Sequence, residues 1–140
     1  LCFFILVAQQ LFAQKPFYDW IGHEAKEISS TYNEPKAITR QEQDSLYIYE
    51  TELGYTSYLI SNGIVKTVDN TTYWKKKSKA KDAIKELINM YKKDGFNVDE
   101  TSDTITYLTK DIYLAKIRTF YQEGYHAASE TVSKFKSGGK

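Results

Sequence analysis

The chain of 140 residues has little of the chemistry that most catalytic and metal sites require: one cysteine, one methionine, two histidines and two prolines. Its only cysteine, Cys2, lies within the first 14 residues, "LCFFILVAQQLFAQ". A single thiol cannot form an internal disulfide, and loss of this segment would also remove any cysteine nucleophile or thiolate metal ligand. An exported domain without disulfides fits a bacterial periplasm or exterior better than a small animal scaffold.

The segment 1–14 is uncharged and largely apolar, and it stops abruptly at Lys15. This pattern is typical of the apolar core and cleavage end of a secretory signal peptide, with a cut after Ala13 or Gln14. A membrane-spanning helix would need about 20 apolar residues, and a buried N-terminal strand or helix is the other alternative. The initiator methionine and a basic start are absent, so we interpret this leader as truncated. Because Cys2 precedes the cut, we expect no lipid anchor.

The net charge and the lack of known motifs argue against several further classes of function. The 19 basic and 18 acidic side chains leave a net charge of +1, which argues against a nucleic-acid binder because such proteins carry a strongly basic face. His23 and His126 do not show the spacing of metal ligands. Neither a glycine-rich phosphate loop nor a Gly-x-Ser-x-Gly nucleophile motif occurs. We therefore predict a non-enzymatic protein with no catalytic residues, metal or cofactor.

Two segments show helical periodicity. The first helix is predicted from a stripe formed by Ile21, Ala25, Ile28 and Tyr32 and is ended by Pro35. The second is predicted to begin at Ser78 as N-cap and to end at Asp94-Gly95. Its apolar stripe consists of Ala80, Ala83, Ile84, Leu87, Ile88 and Tyr91. The octapeptides "AKEISSTY" and "IKELINMY" within these helices resemble each other, which indicates a repeated unit.

Each helix is followed by segments with the alternation of β-strands. The predicted strands are 36–40, 46–51, 55–61, 64–68, 96–100, 104–109, 112–121 and 125–132. Asn62-Gly63 predicts a two-residue hairpin turn, because both positions tolerate positive φ. The last segment, 121–135, also has helical spacing, so a C-terminal helix is an alternative. We favour a strand, because Gly124 would weaken a helix.

These elements predict an α+β fold built from tandem units, each a helix followed by an antiparallel four-stranded meander. The two units, about 17–69 and 75–133, are expected to form a single domain over residues 15–135 with the helices packed on one face of the sheet. The residues 136–140, "KSGGK", are predicted to be a flexible tail. A chain of this size can bury the core of one domain.

The chain contains twelve tyrosines, an unusually high number, and several of them lie in the predicted strands. A three-residue turn at 52–54 would pair Tyr49 with Ser57 and Tyr47 with Leu59. Alternation along the strands would then place Leu46, Ile48, Tyr58, Ile60 and Val65 under the helices. The opposite, half-solvated face would carry Tyr47, Tyr49, Thr51, Tyr55, Ser57, Leu59, Ser61 and Lys66. Tyrosine suits a solvated sheet, but it is also common at recognition surfaces. We therefore predict a protein-binding face at Tyr47, Tyr49, Tyr55 and Lys66.

A second candidate site is the basic segment before the second helix. Lysines 75, 76, 77, 79 and 81 follow two aromatic residues in the stretch "YWKKKSKAK". The simpler interpretation is a solvated linker, partly balanced by Asp69 and Asp82. Basic and aromatic side chains together can also contact an anionic headgroup. The alternative function is thus an envelope-associated structural protein that contacts anionic lipid or glycan through Tyr73, Trp74, Lys75, Lys76, Lys77 and Lys79.

The stretch 21–35, which opens with "IGHEAKEI" and closes with "YNEP", resembles a known family. It is similar to the helix of the beta-lactamase-inhibitor-protein-like fold, shared by small outer-membrane assembly lipoproteins, in which Gly opens the helix and Gly-x-Pro closes it. Gly22 and Pro35 match that pattern, whereas Asn33 replaces the second glycine. The resemblance implies a helical unit before a four-stranded sheet. In the inhibitor itself it implies a tandem duplication whose concave, aromatic-rich sheet grips a partner protein.

Overall fold

The computed structural model describes residues 17–135, so the predicted leader 1–14, Cys2 and the predicted tail 136–140 lie outside the described residues. The described chain begins with a 3-10 turn, Phe17–Trp20, and contains two α-helices, α1 (Ala25–Tyr32) and α2 (Lys77–Lys93). Its eight strands are β1 (Ala37–Gln41), β2 (Asp44–Glu50), β3 (Gly54–Ser61), β4 (Ile64–Trp74), β5 (Asn97–Thr101), β6 (Ile105–Lys110), β7 (Tyr113–Gln122) and β8 (Tyr125–Lys134).

All eight strands belong to one antiparallel sheet in the order β1-β2-β3-β4-β8-β7-β6-β5. Its centre is the pairing of β4 with β8, which runs from Thr67 opposite Ser133 to Trp74 opposite His126. The prediction of tandem helix-plus-four-strand units is therefore wrong, because the strands of both predicted units are hydrogen-bonded into a single continuous sheet. Local sequence patterns identify strands but not their distant partners. If the two predicted units were separate sheets, β4 and β8 would each have an unpaired edge, and such an edge can pair with another chain.

The two helices differ in length and in the residues that bound them. Helix α1 has eight residues and ends at Asn33, which has a positive φ of 64°. Helix α2 has 17 residues and its N-cap is Lys76, which makes no capping hydrogen bond through its side chain. The predicted N-cap at Ser78 is therefore wrong. So is the predicted start of the first helix near Ile21, because the chain forms the 3-10 turn there before α1 begins at Ala25.

Both helices contribute to one apolar core on the same side of the sheet. Ile28 of α1 and Tyr91 of α2 are almost fully buried and belong to one cluster. The sheet side chains in that cluster are Tyr58, Ile60, Val65, Val68, Leu108, Ala115, Ile117 and Val132. We call this side of the sheet the helix side and the opposite side the outer face. Strand alternation and the observed register assign every other sheet residue to one of these two sides.

The last segment is a strand, as favoured from the sequence, since Tyr125–Lys134 pairs with both β4 and β7. The alternative of a C-terminal helix is wrong. Strand β4 continues to Trp74 rather than stopping at Val68, so the residues 69–74 lie within the sheet and not in a linker. This extension provides most of the junction with β8.

The register around β3 decides which tyrosines face the helices. The Asn62-Gly63 turn forms as predicted, with φ of 52° and 75°. Between β2 and β3, however, Glu50 pairs with Tyr55, so the loop has four residues rather than three. Tyr49 consequently pairs with Thr56, and Tyr47 with Tyr58. A slip of one residue moves every side chain of a strand to the other face, so β2 presents the opposite side chains from those predicted.

Candidate functional site

The predicted tyrosine face does not form, because its members lie on opposite sides of the sheet. Tyr47 and Tyr49 of β2 lie on the helix side, where they pack against the core. The ring of Tyr49 contacts those of Tyr32 and Tyr58 at centroid distances of 5.9 and 5.8 Å. Only Tyr55 lies on the outer face, and its ring pairs with that of Tyr73 at 6.4 Å.

In β2 the aliphatic members of the predicted sets also change places, whereas Tyr58, Ile60 and Val65 lie on the helix side as predicted. Leu46 and Ile48, predicted to lie under the helices, lie on the outer face because of the same register difference. Lys66 is exposed, and it lies where the β3–β4 pairing shifts from Ile60 opposite Val65 to Leu59 opposite Thr67. It is the extra residue of a bulge in β4.

The outer face has short side chains at its centre and long ones at its borders. The central strands β4 and β8, with β3 beside them, contribute Ser57, Thr67, Asp69, Thr71, Ala127, Ser129, Thr131 and Ser133. On one border lie Tyr55 and Tyr73; on the other, β7 contributes Lys116, Arg118 and Phe120. Neither α1 nor α2 packs on this face. We call the short-chain centre the floor of the outer face.

The width of the floor follows from the aligned pairs. Tyr55, Thr71, Ser129 and Arg118 are successive neighbours across four strands. Adjacent strands lie about 4.8 Å apart, so Tyr55 and Arg118 are separated by about 14 Å at the backbone. We call this strip of short side chains between the two borders the trough.

Hydrogen bonds hold the floor together across the β4–β8 junction. Asp69 accepts hydrogen bonds from Thr71 at 3.1 Å and from Thr131 at 2.5 Å. The hydroxyls of Thr71 and Ser129 are 3.1 Å apart, and these two side chains are 1% and 0% exposed. A carboxylate that accepts hydrogen bonds through both oxygens is fixed in orientation. The middle of the floor is thus a hydrogen-bonded polar layer that its neighbours almost completely cover.

The borders combine aromatic rings with cations. The guanidinium of Arg118 lies 5.0 Å from the centroid of the Phe120 ring. The ammonium of Lys116 lies 5.9 Å from that of Tyr107 on the neighbouring strand. Burial, and next the nearby Tyr55, raise the pKa of Tyr73, so its phenol stays protonated at neutral pH. Such pairs place a polar group on a large apolar surface, as recognition surfaces require.

A second polar network lies on the helix side and was not predicted. Glu130, only 1% exposed, accepts a 2.6 Å hydrogen bond from Tyr91 and a longer one, 3.4 Å, from Asn70. Asn70 in turn accepts from Thr56 at 2.9 Å. Burial raises the pKa of Glu130 to about 7. Burial, and then the Glu130 carboxylate, also raise the pKa of Tyr91. This network joins α2 to β3, β4 and β8.

The predicted basic site is divided among three elements. Tyr73 lies on the outer face, whereas Trp74 lies on the helix side and donates from its indole nitrogen to Thr72 at 3.0 Å. Lys75 and Lys76 lie in the connection after β4. Lys77 and Lys79 lie in the first turn of α2, and all four lysines are exposed. The two aromatic residues and the lysines thus do not form one continuous surface.

The histidines lie at separate places. His23 is 2.6 Å from the carboxylate of Glu27, one helical turn away, and His126 of β8 packs its ring against Tyr121 at 4.9 Å. Among residues 17–135, no group of three histidine, cysteine, aspartate or glutamate side chains is placed to hold a metal ion. No helix in the same range is long and apolar enough to cross a membrane.

Comparison with known proteins gives a fold likeness. No protein-family model matches the chain. No curated protein matches it either. It is similar to a solved cysteine-rich secretory protein of Staphylococcus aureus at 12% identity and a TM-score of 0.53, over 87% of this chain and 49% of that one. It is also similar to an extracellular protein of Bacillus anthracis that contains an SCP domain, at 11% identity and a TM-score of 0.52, over 87% of this chain and 46% of that one. The chain thus spans about half the length of both structures, and the likeness concerns the fold alone.

Proposed function

We propose that this protein is an exported, non-enzymatic binding module that recognises a protein partner through the outer face of its sheet. The observation that carries the proposal is the trough itself. Its floor consists of short, hydrogen-bonded side chains, and its borders consist of aromatic and cationic ones. The borders would make the contacts with the partner, because the middle of the floor is itself almost fully covered.

The composition of the borders favours a protein as the partner. Tyrosine, phenylalanine and arginine are enriched at protein interfaces because they combine large contact area with directional polar groups. Tyr55 and Tyr73 lie on one border, and Arg118 and Phe120 on the other, so both sides of a bound segment would be contacted. The resemblance of residues 21–35 to the beta-lactamase-inhibitor-like proteins adds to this proposal, because it implies an aromatic-rich sheet that grips a protein.

Two observations support export. The uncharged segment 1–14 has the sequence pattern of a signal peptide. The two similar structures are described as a secretory protein and an extracellular protein. A periplasmic or secreted location also fits the lack of cysteine after residue 2, because such a chain needs no reducing compartment.

Site-specific photo-crosslinking tests the proposal. A photoreactive phenylalanine analogue is placed at Tyr73 on the outer face, and separately at Tyr121, which is 66% exposed and lies on the helix side. Both proteins are produced in the organism that makes the chain and irradiated in intact cells. We expect a crosslinked protein from position 73 and none from position 121, and mass spectrometry identifies it.

The identified partner is then purified and its affinity measured against variants of both borders. Arg118→Ser and Tyr55→Ser should each weaken binding about tenfold or more, since truncation of a central interface residue costs at least about 1.4 kcal/mol. Tyr121→Ser should leave the affinity unchanged. Equal crosslinking from positions 73 and 121, or an affinity that neither border variant changes, would contradict recognition through the outer face.

A further inference from the structure

A cleft lies beside the first turns of α2 and shares Phe120 with the border of the trough. Its volume is about 530 Å³, and strands β7 and β8 form the opposite wall. The polar side chains that line it include Lys77, Lys81, Asp103, Thr104, Thr119 and His126. The cleft is concave and collects cationic groups from a helix and hydrogen-bonding groups from the sheet side.

The two lysines of the cleft are not neutralised by the protein. Lys77 and Lys81 are one helical turn apart, and neither forms an ion pair with any other residue of 17–135. Like charges at this spacing repel each other by a few tenths of a kcal/mol. The first turn of α2 contains no acidic residue, and the helix dipole further disfavours cations at this end. A bound anion would relieve both unfavourable interactions.

The opposite wall supplies hydrogen-bond donors. The ring of His126 contacts Tyr121, and its nitrogens have no hydrogen-bond partner among the described residues. The hydroxyl of Thr104 likewise has no partner within residues 17–135. Thr119 uses its hydroxyl hydrogen in a 2.9 Å bond to the carbonyl of Ala127, so it is an acceptor and not a donor to the cleft. Asp103 lines the cleft without neutralising either lysine.

We propose that this cleft binds a phosphate group, with Lys77 and Lys81 supplying positive charge and with Thr104 and His126 donating hydrogen bonds. Donors from a helix, a strand and the loop before β6 suit a tetrahedral anion better than a planar carboxylate, which is bound best by one forked guanidinium. The volume exceeds that of phosphate alone, so the cleft has room for the glycerol or sugar that carries the phosphate. The four groups that would hold the phosphate are not members of the proposed protein-binding trough, although Phe120 lines both.

The experiment titrates the purified protein with glycerol 3-phosphate and measures amide chemical shifts by NMR. We expect the largest changes at residues 77, 81, 104 and 126 and saturable binding. The variant with both Lys77→Gln and Lys81→Gln should weaken binding about tenfold or more, because two charge-assisted contacts are lost. The matched control, with Lys85→Gln and Lys92→Gln on the same helix, has the same change in net charge and should bind within about twofold of the unchanged protein.

The phosphate can be free or part of a lipid headgroup, and vesicles of phosphatidylglycerol distinguish the two. Vesicle binding that is lost in the Lys77/Lys81 variant and competed by glycerol 3-phosphate assigns the site to a headgroup. Soluble phosphate binding without vesicle binding assigns it to a free phosphate compound. Equal weakening in the variant and the control would show diffuse charge attraction and overturn the proposal. So would the absence of cleft chemical-shift changes in a protein that is folded by circular dichroism.

Discussion

The hydroxyl of Tyr91 donates a 2.6 Å hydrogen bond to the carboxylate of Glu130, and each of these side chains is only 1% exposed. This bond fastens α2 to the central strand β8 in an otherwise apolar core. A buried carboxylate is costly to ionise, and burial accordingly raises the pKa of Glu130 to about 7. We therefore expect the attachment of α2 to the sheet to be sensitive to pH near neutrality.

The stability of the protein should decrease as the pH rises from about 5 to 8. The folded pKa of Glu130 lies above the ordinary value of 4.5, so folding favours the protonated form. The stabilisation is fully present below about pH 4.5 and is lost as the pH rises through about 7. A difference of about 2.5 pH units corresponds to about 3 kcal/mol in the free energy of unfolding.

Urea denaturation at several pH values measures this dependence. Glu130→Gln keeps the size of the side chain and removes its titration, so the variant should lose the decrease between pH 5 and 8. Glu100→Gln, at an exposed position of β5, serves as the control and should retain it. An unchanged slope in Glu130→Gln would show that another group causes the dependence.

The Tyr91→Phe variant should be destabilised more at pH 8 than at pH 5. The Tyr91 hydroxyl favours the ionised form of Glu130, and its removal should raise the carboxyl pKa further. Leaving a buried charge with one hydrogen bond fewer costs about 1 to 3 kcal/mol. Thermal or urea unfolding at the two pH values checks this expectation. Equal destabilisation at both values would indicate lost packing instead of a lost hydrogen bond to the carboxylate.

Gly54→Ala should be among the most damaging small substitutions in the sheet. A Cβ atom at position 54 would lie 1.9 Å from the backbone oxygen of Thr71. The two strands would have to separate, at a cost of about 2 to 3 kcal/mol in the free energy of unfolding. Gly63→Ala is the matched control, because nothing lies within 4 Å of its added Cβ atom. Its positive φ of 75° should cost only about 1 kcal/mol. Similar losses for the two variants would contradict the close approach at Gly54.

Two tyrosines that the sequence assigned to one face should respond differently to replacement by serine. Tyr49 packs between Tyr32 and Tyr58 on the helix side, whereas Tyr55 lies on the outer face beside Tyr73. Tyr49→Ser should lose about 2 kcal/mol more stability than Tyr55→Ser, because it removes core contacts and aromatic pairs. Urea denaturation of both variants measures the difference. Equal losses of stability in the two variants would show that β2 does not have the observed register.

Local features of the fold could be predicted from the sequence because they depend on neighbouring residues. The stripe of Ala25, Ile28 and Tyr32 gave the position of α1, and Asn62-Gly63 gave a correct hairpin turn. The register of β2 could not be predicted, because it depends on whether the loop before Tyr55 has three or four residues. Both loop lengths are common, and only packing of Tyr47 and Tyr49 against the core selects one.

The candidate site depends on distant pairings and was harder to predict. The trough exists because β4 pairs with β8, and no local pattern near Asp69 indicates that Thr131 will be its hydrogen-bond donor. Glu130 did carry a signal. It occupies an inward position between Ala128 and Val132 of an alternating strand. An acidic residue is unexpected at such a position unless it has a buried hydrogen-bond partner.

The pairing of β4 with β8 also sets the order in which the chain can fold. Residues 67–74 cannot pair until residues 126–133, the last strand in the order of residues 17–135, have been made, so the centre of the sheet closes late. Contacts between such distant segments form slowly, because a long loop must be ordered first. Until β8 has been made, one edge of β4 and one edge of β7 stay unpaired, and the hydrogen bonds of Glu130 cannot form. For a protein proposed to be exported, this arrangement delays the folded state until residues 126–133 have been made.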